Sequence, residues 1–271
     1  MEEMNIKISS PGGPGTSLIE NVKKNILILA SELEKNDDFE SLKAYKIHMT
    51  TFGMSEDYLR NIFPYMQNIG LVDYANLKPF ENHKFFTNLG YAFLDVLRSV
   101  ELVNEEDDSE TKEVVLEYLS SIEQVILFQG MKKMMMSESC RYGIDFWDVL
   151  RFVNKYDSID LTEYFLLIYE RNSGEENYLE NMGPIVEKYR LNTLTINVST
   201  EIKKKIKSTM NKAGAAKRIN TFPYVKGNFV EAGILVPIDE GRFKINEDRR
   251  NEIDSALKEI EEKWQTLANQ Q

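Results

Sequence analysis

The chain contains one cysteine, Cys140, and two histidines, His48 and His83, among 271 residues. A single thiol rules out an internal disulfide and fits a reducing compartment. The histidines are far apart with no other cysteine beside them, which argues against a structural zinc site. No apolar run approaches the ~20 residues needed to cross a bilayer. The opening stretch MEEMNIKISSPGGPGTS lacks the basic-then-apolar layout of a secretory signal, so a cytoplasmic chain with no membrane partner is expected. Also missing are a Gly-rich phosphate loop ending in Lys-Ser/Thr, a G-x-G-x-x-G fingerprint and partners for a histidine-centred triad. No catalytic residue, metal ligand or cofactor is therefore expected.

Positive charge is scarce as well, with 33 Lys and Arg against 44 Asp and Glu, a net charge of −11. Its distribution is uneven. From Lys188 to Lys226 ten cations face the single acid Glu201, so this stretch is +9 and the remainder −20. Residues 101–123 are the opposite extreme, with nine acids and one lysine. Nucleic-acid binding depends on the local field, so a basic stripe can act within an acidic whole.

Apolar spacing organises the rest. Residues 9–17, SSPGGPGTS, are rich in Pro and Gly, and residues 1–16 are expected as a flexible lead-in. Leu18, Val22, Ile26, Leu29 and Leu33 recur every three or four residues, predicting a first helix. FESLKAYKIHM predicts a second. Ser55 followed by Glu56 and Asp57 starts a third, in which Pro64 marks a kink or re-start and Gly70 the stop. LVDYANLKPFENHKFFT then reads as strand, loop and strand, and a helix follows. Three helices, a hairpin and a helix are the order of a winged-helix module, here residues 17–104. Residues 105–195 predict a helical middle. Residues 196–271 repeat the first plan, with a basic helix over TEIKKKIKSTMNKAG and a turn at AAKRIN. A helix capped by Thr221 carries Pro223 in its first turn and stops at Gly233, a hairpin turns at Asp239–Gly241, and a closing helix follows. The expected fold is thus mostly α with small β-hairpin wings, arranged as tandem winged-helix modules around a helical middle.

The block DFWDVLRFVNKYDSIDLTEYFLLIYERNSGEENYLENMGPIVEKYR and the capped segment TFPYVKGNFVEAGIL resemble DNA-recognition regions of type II, type IIS-like restriction endonucleases. The resemblance covers most of residues 17–250 and rests on apolar spacing, a glycine and a proline. It implies sequence-specific binding of double-stranded DNA by a target-recognition part, with cleavage supplied by a separate nuclease domain or partner subunit. The nuclease constellation of two carboxylates and a lysine on adjoining strands has no good match here. Glu201-Ile202-Lys203 has the right spacing, but the nearest upstream aspartate, Asp160, lies about forty residues away across helical sequence. Cys140 and the methionines of MKKMMM read as packing residues.

In the C-terminal module the expected DNA-contacting residues are Lys203, Lys204, Lys207 and Lys212 on the basic helix and Lys217, Arg218 and Asn220 at the turn. Thr221, Tyr224, Lys226 and Asn228 follow on the presented helix, and Arg242 and Lys244 on the wing. Cations there meet phosphates, Arg218 suits a guanine, and Asn220 or Asn228 an adenine. In the N-terminal module Arg60, Asn61, His83 and Lys84 are the candidates, although Glu56 and Asp57 oppose a phosphate. Two rival readings remain: an acidic tandem winged-helix adaptor that holds proteins, favoured by the −11 charge, and a transcriptional regulator.

Overall fold

The computed structural model describes residues 2–8, 13–36, 39–75, 77, 79–105, 110–140, 142–200, 221–239 and 241–269. The chain is mostly helical, with two small sheets of two strands each. None of the described helices is long and apolar enough to cross a membrane.

Helices α1 (Glu20–Lys35), α2 (Leu42–Thr50) and α3 (Glu56–Asn68) open the first module. Ser41 and Ser55 cap α2 and α3, each hydroxyl accepting from a backbone N–H three residues on at 3.1 Å. Pro64 lies inside α3 without dividing it. An aromatic core fills the space between these helices. The Tyr45, Phe63, Phe80 and Phe85 rings have centroids 5.3–6.1 Å apart, and the Tyr45 hydroxyl donates to the Leu29 carbonyl at 2.8 Å.

Among the described residues the expected first wing shows a single bridge, Val72 to Phe86, on either side of a short 3-10 turn at Asn82–Lys84. Phe85 and Phe86 are both buried.

The chain continues through α4 (Asn88–Glu105), α5 (Glu110–Met135), α6 (Gly143–Tyr156), α7 (Leu161–Arg171), α8 (Tyr178–Asn181) and α9 (Gly183–Arg190). Asp160 closes a capping box on α7 with Glu163. After the undescribed residues 201–220 come α10 (Phe222–Glu231), an antiparallel hairpin and α11 (Arg250–Ala268). Trp264 on α11 donates its indole N–H to the Met135 carbonyl at the end of α5, 3.0 Å away.

The flexible lead-in expected for residues 1–16 does not hold for Glu2–Ile8, which form a strand. Glu2–Ile8 is strand β1, paired in parallel with β2 (Leu194–Thr200), and the hairpin strands are β3 (Leu235–Asp239) and β4 (Arg242–Ile245). The β1 sequence alternates: Met4, Ile6 and Ile8 turn inward while Glu3, Asn5 and Lys7 are exposed. Seven residues form too short a signal to stand out without their partner strand, almost two hundred positions away. The expected boundary between residues 195 and 196 falls inside β2.

From Gly13 the chain is anchored rather than free. Gly13 has φ +73, its N–H donates to Asp145 Oδ2 at 2.6 Å, and a Cβ there would come 2.6 Å from Val225 Cγ2. Both the left-handed backbone and the close approach require glycine.

Lys23 ties three elements together, meeting Glu123 of α5 and Glu231 of α10 at 2.5 Å each. Burial pushes the Glu123 carboxyl above its ordinary range; Lys23 pulls it down without offsetting the shift, and Glu231 adds to it. A carboxyl with a raised folded pKa holds its proton more tightly when folded. Its contribution to stability is present below the ordinary glutamate pKa and is lost as pH rises through the raised value. Glu123→Gln removes this loss. Denaturant titrations at pH 4 and pH 7 should show the variant gaining on the parent as pH rises. An equal difference at both pH values would contradict this account.

Candidate nucleic-acid interface

Residues 201–220 lie outside the described residues, and with them Lys203, Lys204, Lys207, Lys212, Lys217, Arg218 and Asn220. The expected basic helix and turn are therefore not described. The C-terminal candidates that are described sit on α10 and the wing.

Apolar Phe222, Val225 and Phe229 form the inner stripe of α10, and Pro223 sits in its first turn, where a missing N–H costs nothing. Two expected DNA contacts belong to this inner side. Thr221 is buried, and its hydroxyl meets the Tyr164 hydroxyl at 2.9 Å instead of capping the helix. Asn228 is 2% exposed: its Oδ1 accepts from Leu18 N–H at 3.1 Å and its Nδ2 donates to the Thr16 carbonyl at 2.9 Å. Neither side chain has a surface to offer a duplex.

Arg242 is also committed elsewhere. Its guanidinium reaches Asp160 at 2.6 Å, Glu163 at 3.0 Å and the Ser158 hydroxyl at 3.2 Å. Arg190 holds the other Glu163 oxygen at 2.6 Å and donates to the Tyr156 and Ser158 carbonyls. Glu163 itself is fully buried. Beside this network Ile159 and Phe243 exchange two backbone hydrogen bonds of 2.9 Å, fixing the wing to the α6–α7 connection. The network was not legible in the sequence, because its members are up to 84 positions apart.

Tyr224, Lys226 and Lys244 remain at the surface. Lys226 Nζ stands 4.4 Å from the Phe243 ring centroid and 5.9 Å from that of Phe222, so aromatic faces hold the ammonium against the wing. Among the described residues no carboxylate pairs with Lys226 or Lys244.

In the first module Arg60 is exposed and pairs with Asp57 at 3.1 Å, and Asn61 donates to the Asp57 carbonyl at 2.9 Å. Lys84 and His83 flank Glu81 at 2.7 and 3.5 Å. Hydrogen bonding from Lys84 lowers the Glu81 pKa. Two cations escaped the sequence reading. Lys43 and Lys46 lie three residues apart on one face of α2 and line a depression of about 300 Å³ with Glu56 and Arg60. Lys46 stands over the Phe63 and Tyr74 rings at 5.2 and 5.6 Å. Its pKa is lowered, first by burial and then by nearby Arg60. Their i, i+3 spacing was the available signal.

Comparison with protein-family models, curated proteins and solved structures found no match to this chain.

Proposed function

We propose that this protein binds double-stranded DNA sequence-specifically through tandem winged-helix modules, as the target-recognition part of a restriction-type endonuclease whose cleavage domain is separate. The supporting observation is Lys226. Ring contacts fix its ammonium against the wing, no described carboxylate neutralises it, and it lies just after the most basic stretch of the sequence. A cation held in this way loses little side-chain freedom on meeting a phosphate. Lys244 and the half-exposed Tyr224 extend the same module's surface, and Lys43, Lys46 and Arg60 supply a smaller cationic group in the first.

Selection from random duplexes should recover one short motif. Lys226→Ala and Lys244→Ala should each weaken binding to every sequence alike and reduce the slope of log K against log salt by about 1. The adaptor reading is kept because exposed Asp239 sits on the hairpin strand, where it would repel a phosphate. No enrichment at low salt would sink the DNA reading in favour of the adaptor.

A further inference from the structure

Helices α2 and α3 present faces of identical spacing to one another. Lys43, Lys46 and Ile47 stand at i, i+3 and i+4 on α2, and Glu56, Leu59 and Arg60 at the same intervals on α3. The connection between them passes through Gly53, whose φ of +82 suits a residue without a Cβ. These six residues line the depression of about 300 Å³, at the small end of the range of ligand sites.

Its lining is of two kinds. Lys43, Lys46 and Arg60 set three cations against the single carboxylate of Glu56, while Ile47 and the buried Leu59 supply an apolar wall. Among the described residues no carboxylate pairs with Lys43 or Lys46. Asp57 does pair with Arg60, but both side chains are exposed, and such a pair contributes little and gives way to a better acceptor. Lys46 is half-buried, with its Nζ held near the Phe63 and Tyr74 rings. Its ammonium has lost part of its water and is repelled by Arg60, so an arriving anion relieves both effects.

We infer that this depression binds a small phosphomonoester with an apolar or aromatic body. The phosphoryl oxygens meet Lys43, Lys46 and Arg60, and the body lies against Ile47 and Leu59. A phosphomonoester brings close to two negative charges and three strong acceptor oxygens, one for each cation. A carboxylate, or the phosphodiester of a nucleic-acid backbone, brings one charge and two such oxygens. The inference goes beyond DNA binding and does not depend on it.

Phenyl phosphate is the probe, titrated into the full chain and followed by amide NMR. Saturable binding with a Kd of about 1 mM is expected, with shifts centred on α2 and α3. Lys46→Met keeps the apolar stem and should weaken binding about tenfold, the worth of one charge-assisted hydrogen bond. Lys43→Ala, at an exposed position where the fold is not at risk, should also weaken it, and Glu56→Gln should tighten it. Phenol and dimethyl phosphate, each lacking one half of the ligand, should bind about tenfold more weakly or not at all. No saturation by about 10 mM phenyl phosphate would overturn the inference. So would dimethyl phosphate binding as tightly as phenyl phosphate, which would mark a backbone-phosphate contact, or unchanged affinity in both lysine variants. Duplex selection is a separate measurement, so the two readings can fail independently.

Discussion

Replacing Arg242 by alanine is expected to destabilise the fold by about 3 kcal/mol, because it removes a charged partner from a buried carboxylate. Glu163 has no exposed surface, and its two oxygens are divided between Arg190 and Arg242. Loss of Arg242 leaves one oxygen and Asp160 Oδ2 without their charged donor, in a place where water cannot substitute freely. At roughly 2–4 °C per kcal/mol for a chain of this size, the thermal midpoint should fall by about 6–12 °C. Arg242→Lys should recover only part of this, since one ammonium cannot reproduce the fork that reaches both carboxylates. Lys244→Ala, two residues along the same strand, should stay within about 0.5 kcal/mol. Urea titrations of the three variants test the contrast. If Arg242→Ala and Lys244→Ala are equally mild, Arg242 is not a structural anchor, and its assignment to DNA contact returns.

Asn228→Ala should cost about 2–6 kcal/mol, from one buried donor and one buried acceptor left unpaired at roughly 1–3 kcal/mol each. The donor is Leu18 N–H and the acceptor the Thr16 carbonyl, on a segment with no helix or strand to satisfy them. Asn228→Asp should fare little better: it keeps an acceptor for Leu18 but loses the donor to Thr16 and buries a charge. An asparagine reading adenine would behave differently, changing the preferred DNA motif at constant stability. Denaturant midpoints taken together with duplex selection separate the two roles. A stable Asn228→Ala protein with an altered motif would return this residue to the duplex.

Arg242 and Asn228 show why site assignment from sequence went astray. Asparagine and arginine serve equally as base readers and as internal clamps, and residue type does not say which. The distinction is whether a buried partner stands opposite, and Leu18, Thr16, Asp160 and Glu163 are 79 to 212 positions away from the residues they engage. Lys43 and Lys46 illustrate the converse. Their shared face could be read from spacing, but their nearness to Arg60 depends on how α2 crosses α3.

Sequence alone determined the local elements: the amphipathic period of α1, the serine cap of α3, and the turn that closes the β3–β4 hairpin. Each depends on interactions within a few residues, which composition and spacing record directly. Tertiary structure decided the rest, including the pairing of β1 with β2, the collapse of the first wing to one bridge, the anchoring of Gly13, and the withdrawal of Asn228 and Arg242 from the surface. Those outcomes depend on burial, and whether a polar group is buried is fixed by distant parts of the chain that the local sequence does not specify.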